Sequence, residues 1–457
     1  MKQISTLIMI LLFATTYAQD DYSKLWKQVE THEKDGLPKS ALDVVKQIET
    51  LAKKEQNSPQ VIKTLIFKSK YALTLKEDAQ LSIIRDFKTE INNSQSPTKN
   101  VLQNLLANLY WQYFNQNRYK FYNRTKTESK VDEEDFRTWD LDTLFTEIQT
   151  LFNQSLEDES VLKSTPIHQF DAIINKSKNS ETYRPTLFDI LSHNALDFFK
   201  TDENSITKPA YKFEIDNETY LSASSQFSTL KLEAKDSTSL QLQALKVYQK
   251  LIQFHQQNKN YKALVDVNIQ RLDYVLQHAT FNNKDEIYLQ TLKDEIFSIK
   301  TDETAALYEF EIAEKTYQNG LQYDSKTNTE NRWLIQEALA IVKNIIKRFP
   351  DSKAAKNSTI LKQQILNKEL QLTTETYIPI QQNSRFLVRY KNVENLEFTL
   401  YNLSKNQLET YNKTYRKDER LKFIKTLKQH TNWNNNLKNE NDYQTMIVSP
   451  RAKPKSL

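Results

Sequence analysis

Two glycines in 457 residues, Gly36 and Gly320, constrain this chain more than any motif it carries. Glycine reaches left-handed backbone conformations without steric cost and lets a backbone lie close against a phosphate. A phosphate cradle, a dinucleotide-binding turn and a nucleophile elbow each need several closely spaced glycines, so none of them can be built here. Long helices are what such a chain sustains, since only 10 prolines interrupt it. Cysteine is absent, which removes disulfides, thiolate nucleophiles, iron–sulfur clusters and cysteine-bound zinc and leaves packing to hold the fold. With 38% hydrophobic and 26% charged residues, the length suffices for a substantial core in two or more domains.

Residues 1–18 read as an export signal, with Lys2 ahead of an apolar run from Leu7 to Ala14 and a Thr16-Tyr17-Ala18 cleavage site. The mature chain is then expected to begin at Gln19 and to be soluble and exported: periplasmic, at the cell surface or secreted. No later stretch reaches the ~20 apolar residues of a membrane-spanning helix, and there is no cysteine to accept a lipid anchor. Removing Lys2 from the 63 basic residues leaves 62 against 58 acidic ones, too dilute for a nucleic-acid footprint.

Residues 19–372 form the expected helical domain. In Ser40 to Lys54, Ala41, Leu42, Val44, Val45, Ile48, Leu51 and Ala52 recur at three and four, which predicts one apolar stripe on an amphipathic helix. Ser58-Pro59 and Ser96-Pro97 mark further helix starts, a hydroxyl cap followed by a ring suited to the first turn. The segment Ala41-Leu42-Asp43-Val44-Val45-Lys46-Gln47-Ile48 returns as Ala338-Leu339-Ala340-Ile341-Val342-Lys343-Asn344-Ile345, with a weaker copy from Ala244 to Tyr248. With Arg348-Phe349-Pro350-Asp351-Ser352 closing the last copy and Gly36-Leu37-Pro38 as a turn, this resembles the second helix and exit of a tetratricopeptide repeat. The copies are unevenly phased, so the expectation is an irregular helical-hairpin α-solenoid. A non-helical insertion is expected near 205–228, as a short hairpin or an elaborated loop around Tyr211, Phe213 and Ile215, and a charged connection from Lys126 to Asp135.

The period shortens near Thr373. Thr376, Ile378 and Ile380 alternate, then Phe386, Val388 and Tyr390, then Leu396, Phe398 and Leu400, which predicts antiparallel strands over 373–457. The change of rhythm is placed between Leu372 and Thr376. A basic amphipathic stretch from Arg416 to Lys428 and a polar run from Asn432 to Asn441 follow, then a last strand from Tyr443 to Val448. Four strands make a partial sandwich with open edges.

Arg389-Tyr390-Lys391-Asn392-Val393-Glu394-Asn395-Leu396-Glu397-Phe398-Thr399-Leu400-Tyr401 looks like the opening strands of a macroglobulin domain. Leu109-Tyr110-Trp111-Gln112-Tyr113, Asn123-Arg124-Thr125, Trp139-Asp140 and Tyr183-Arg184-Pro185-Thr186-Leu187-Phe188-Asp189 resemble the helical preamble of bacterial alpha-2-macroglobulin-like proteins. The similarity spans essentially the whole mature chain and rests on the order of these segments. It implies a seven-stranded sandwich begun here and an exported protein that traps proteases through a bait segment, in many members with a Cys-x-Glu-Gln thioester. Without cysteine no thioester forms in these residues. The chain is expected to be a truncated or split N-terminal portion whose protein partners are the remaining macroglobulin domains or a protease.

Other constellations point to structure before chemistry. His32, His168, His193, His255, His278 and His430 never form a close pair or join a glutamate in a zinc-binding helix pattern. Asp132-Glu133-Glu134-Asp135 suits a helix start better than an acid–base pair, and Glu157-Asp158-Glu159 a solvated turn. Trp111, Tyr113, Phe114, Tyr119, Phe121 and Tyr122 among Arg118, Lys120 and Arg124 fit core packing better than stacking on bases or sugars. Lys422, Lys425 and Lys428 opposite Leu421, Ile424 and Leu427 read as an ordinary solvated face.

The expectation is thus a non-enzymatic scaffold or interaction module with no catalytic, cofactor-binding or metal-binding residue, no cofactor, no nucleic-acid partner and no membrane-spanning segment. The alternative is an exported helical glycan-binding protein that partners an outer-membrane transporter, with Trp111, Trp139 or Trp333 as a sugar platform.

Overall fold

A computed structural model describes residues 21–127, 130–202, 212–236, 238–299, 303–375, 384–449 and 451–452. The expected export signal and the expected strand residues Thr376, Ile378 and Ile380 lie outside the described residues. The protein is mainly helical, with a few antiparallel strands in small sheets. It divides into two compact units, Met1–Tyr288 and Leu289–Leu457.

The first unit opens with α1 (21–34), α2 (Pro38–Lys54), α3 (Ser58–Leu75), α4 (Ala79–Asn93) and α5 (Thr98–Tyr122). It continues with α6 (Leu141–Ser155), α7 (Glu159–Ser164), α8 (Leu187–Phe199), the short α9 (Ser224–Phe227), α10 (Leu240–Gln257) and α11 (Tyr261–His278). Connections of three residues fold consecutive helices back as hairpins at α1–α2, α2–α3 and α10–α11. The stripe of α2 is used as its spacing predicts: Ala41, Val44, Val45, Ile48 and Ala52 are buried with Tyr22 and Trp26 of α1 and Tyr71 of α3. Both echoes of this segment are helical with a buried stripe, Ala244, Leu245, Val247 and Tyr248 in α10 and Ala338, Leu339, Val342 and Ile345 in the second unit, though Ile341, opposite Val44 in the alignment, is only half-buried.

Helix ends explain how so few glycines suffice. Gly36 has φ +70° and closes α1, its N–H donating to the Glu33 carbonyl at 3.1 Å while that of Leu37 reaches His32 at 2.8 Å. Gln56 and Lys259 do the same work at φ 53° and 54°, with Asn57 reaching Ala52 at 2.9 Å and Asn260 reaching His255 at 3.0 Å. Helix starts fall at Ser58-Pro59 and Ser96-Pro97 as expected, but the caps differ. Ser58 is already helical, so the Asn57 side chain takes the cap of α3, and Pro97 precedes α5 with no side-chain cap. Of the insertion, residues 205–211, Tyr211 among them, lie outside the described residues; 212–217 have no regular structure, and a 3-10 turn at Glu218–Leu221 and α9 follow. Phe213 and Ile215 plug it into the core, and Thr280 N–H donates to the Ile215 carbonyl at 3.0 Å.

The boundary between units falls inside α12 (Lys284–Ile299). In the second unit, α13 (Ala306–Gly320), α14 (Leu334–Arg348) and α15 (Lys353–Leu366) enclose Ala313, Tyr317, Ile335, Leu339, Val342 and Leu361. The helix-to-strand change comes earlier than expected, after Leu366. Leu361, Ile365, Leu366 and Leu370 still fit a helical spacing, which hid the alternation of Leu370 and Leu372 in β1 (Glu369–Thr374). Strands β2 (Ser384–Lys391) and β3 (Asn395–Tyr401) follow, then α16 (Lys405–Lys413), α17 (Lys417–Lys425), β4 (Gln429–Asn436), β5 (Met446–Val448) and the two-residue β6 (Arg451–Ala452).

One sheet runs β1-β2-β5 with β6 also on β2, and β3 pairs β4 in a second. All these pairs are antiparallel, Leu372 opposite Val388 and Phe398 opposite Trp433. The polar run from Asn432 is therefore half strand. The last strand is shorter than expected because Asn441 and Tyr443 turn the chain with φ near +60° before Met446.

Candidate functional site

A buried polar network lies in the first unit on α8, α10 and α11. Asp189 accepts from Thr186 N–H at 3.0 Å and from the Thr186 hydroxyl at 2.7 Å, closing a capping box, and its other oxygen stands 2.8 Å from His255 Nε2. Both side chains are essentially shut off from solvent. Arg184 pairs with Asp266 at 2.8 Å, and Arg271 donates to the Tyr220 and Ser222 carbonyls at 2.7 Å, pinning the elaborated loop to α11. Burial and the Arg184 charge push the His193 imidazole down to about 3, so it stays neutral at ordinary pH. Asp189, Arg184 and Arg271 find their partners inside the core, whereas His193 Nε2 and His255 Nδ1 are buried without a hydrogen-bond partner among the described residues.

The aromatic-basic stretch of α5 splits by helix face. Phe114 and Phe121 are buried, Trp111 and Tyr113 half-buried, and Tyr119 and Tyr122 exposed. Trp111 stacks on Phe114 at 5.3 Å and meets Phe145 and Phe198 edge-on, as core packing requires. Trp139 is 1% exposed, its indole N–H donating to the Asp132 carbonyl, so it is unavailable as a sugar platform. Trp333 is 47% exposed, with the Arg332 guanidinium 5.0 Å from its ring centre. Arg332 is held in turn by Asp442 at 2.9 Å and by Glu440.

The carboxylate run, expected at a helix start, sits instead at a chain turn. Asp132 accepts from the Glu134 and Asp135 N–H groups, and Asp135 caps a 3-10 turn at Phe136–Thr138, not an α-helix. Asp158 turns the chain at φ 54°, and Glu159 begins α7 in ion pairs with Lys163 and Lys250.

A shallow cleft of about 330 Å³ in the first unit is lined by Asp216, Asn217 and Glu218 with Phe281, Asn282 and Asn283. It brings no histidine or cation to its two carboxylates. Among the described residues no group of three histidine, aspartate or glutamate side chains is arranged to hold a metal, and no helix is long and apolar enough to cross a membrane.

The second unit carries a different kind of site, an incompletely covered β face. Val388 and Tyr390 of β2 are buried against Leu396, Phe398 and Trp433 of the β3–β4 layer. Leu372 and Leu370 pair with Val388 and Tyr390 and therefore share their face, yet they are 46% and 47% exposed. The apolar inner face thus runs on across β1 beyond the strands that cover it. The outer face is mixed: Lys391 stands 2.7 Å from Glu369 and Arg389 lies opposite Gln371, but Leu387 and Ile447 are also on it, 48% and 57% exposed. Trp433, which packs in this layer, is hidden in the sequence by the asparagines around it. Comparison with protein-family models, with curated proteins and with solved structures gave no match.

Proposed function

We propose that this chain is the N-terminal, non-catalytic portion of an exported alpha-2-macroglobulin-like protease inhibitor, a scaffold or interaction module. In this reading the hairpins are a tetratricopeptide-like α-solenoid and the β region is the start of a macroglobulin-type sandwich. The observation that carries it is the uncovered inner face at Leu370 and Leu372 beside the buried Val388 and Tyr390. Two leucines half in water on an edge strand are costly, each forgoing on the order of 1 kcal/mol of burial, and further strands on the β3–β4 layer would cover them.

The test is the coding sequence downstream of the last codon and the protein it specifies. Further sandwich domains, a Cys-x-Glu-Gln segment and a longer protein that shields a bound protease from large but not small substrates are expected. An extension lacking sandwich strands overturns the reading. The second reading, an exported glycan-binding partner of an outer-membrane transporter, is favoured by the exposed Trp333 alone; saturable glycan binding by this chain, abolished by Trp333→Ala, would select it.

A further inference from the structure

The 24 residues from Lys405 to Lys428 hold eight of the 63 basic and three of the 58 acidic residues, which leaves the rest of the chain balanced at 55 against 55. The entire net charge of +5 therefore sits in one insertion between β3 and β4. Helices α16 and α17 occupy it, and neither buries a single residue. Leu408 and Leu421 are 49% and 54% exposed, and Tyr415 between the helices 85%.

The hairpin is nevertheless held by its own local contacts. Ser404 and Gln407 form a capping box, and Arg420 lies 4.9 Å from the Tyr411 ring centre while its Nε donates to the Thr414 carbonyl. Asn402 N–H donates to the Lys428 carbonyl at 3.2 Å, and Leu427 is buried, so the β3–β4 end anchors it. Asp418 and Glu419 lie 3.5 Å from Arg416, and among the described residues Lys417, Lys422 and Lys425 pair with no carboxylate.

Short helices with lysines and unburied leucines, carrying all of a protein's excess charge, have the composition of an element that lies in a membrane–water interface. We propose that the α16–α17 hairpin docks the protein on an anionic lipid bilayer. The lysines meet headgroup phosphates, and Leu408, Tyr415 and Leu421 enter the boundary with the acyl chains. Attraction to a soluble polyanion would use the lysines and leave the leucines in water. This docking is independent of the inhibitor assignment.

The experiment is flotation of the full chain with vesicles of equimolar phosphatidylglycerol and phosphatidylcholine, against phosphatidylcholine alone. Partition at least about tenfold stronger on the anionic vesicles is expected, lost at about 0.5 M salt, where screening is short-ranged. Lys422→Glu with Lys425→Glu is expected to weaken it about 100-fold, and Leu408→Ser with Leu421→Ser about tenfold or more. None of the four side chains is buried, so both double variants should keep the parent melting temperature. Absence of partition, or equal partition on both vesicles, overturns the proposal. Charge-dependent binding to which the leucine pair is indifferent also overturns it, and retention on RNA or heparin would then identify a soluble polyanion as the partner.

Discussion

Phe398 and Trp433 face each other across the β3–β4 pair with ring centres 4.9 Å apart and planes within 7° of parallel, and Phe386 of β2 leans on both. This stack joins the two β layers, so Trp433→Ala should cost the second unit about 2–3 kcal/mol, lost transfer energy plus the ring contact. Trp433→Phe should recover more than half. Urea denaturation followed by far-UV circular dichroism measures both, and an alanine variant as stable as the parent would remove the stack from any structural role.

What could be read from the sequence follows from how each feature is encoded. The stripe Ala41-Val44-Val45-Ile48 and the alternation Phe386-Val388-Tyr390 are local periodicities, and both were legible. Leu370 was not, because one leucine serves a helical and a strand spacing equally well until its partners are known. Trp433 owes its burial to β2 and β3, outside its own neighbourhood, and its flanking asparagines point outward. The uncovered leucines and the unburied hairpin are statements about missing neighbours, which no periodicity encodes.

The two glycines should respond differently to alanine. A Cβ on Gly320 would stand 2.6 Å from Ile335 Cγ1 and 2.9 Å from the Ile335 backbone nitrogen, so α13 and α14 would have to separate. Gly320→Ala is expected to cost about 2–3 kcal/mol by overpacking. Gly36 has nothing within 4 Å of its Cβ position and only its φ of +70° to answer for, so Gly36→Ala should cost about 1 kcal/mol. Equal losses would contradict this assignment of sterics to one site and backbone strain to the other.

Gln56 and Lys259 hold left-handed conformations at helix ends where glycine would be relaxed. Gln56→Gly and Lys259→Gly should each stabilise the first unit by about 0.5–1 kcal/mol, the relief of strain less the extra unfolded-state entropy. Thermal unfolding of the single and double variants checks this, and a fall in melting temperature for both would refute it.

Asp189 closes the α8 capping box and faces His255 with both side chains buried. Asp189→Ala strands two Thr186 donors and the His255 Nε2, and should cost about 3–5 kcal/mol. Asp189→Asn keeps the shape and an acceptor and should cost markedly less. In a His255→Leu background the alanine penalty should shrink, a coupling that a double-mutant cycle reads directly. Purely additive losses would mean that the carboxylate acts through the cap alone.

Acid should weaken the first unit through His193. Burial, reinforced by the Arg184 charge and only partly offset by Asp189 and Asp266, holds its imidazole at about 3 instead of the usual 6.5. Below 6.5 the unfolded chain takes up a proton that the folded one refuses until about pH 3, so the unfolded state binds more protons across that window. Stability therefore rises with pH there and falls on acidification, at a slope approaching 1.4 kcal/mol per pH unit. His193→Gln removes this proton uptake. Whatever its packing cost at pH 7.5, its stability relative to the parent should improve by about 2 kcal/mol by pH 5. That interval lies above the range where the carboxylates of Glu33, Glu49 and Glu159, held low by lysine partners, begin to titrate. Parallel stability–pH curves for parent and variant between pH 7.5 and 5 would show that His193 titrates normally in the folded protein.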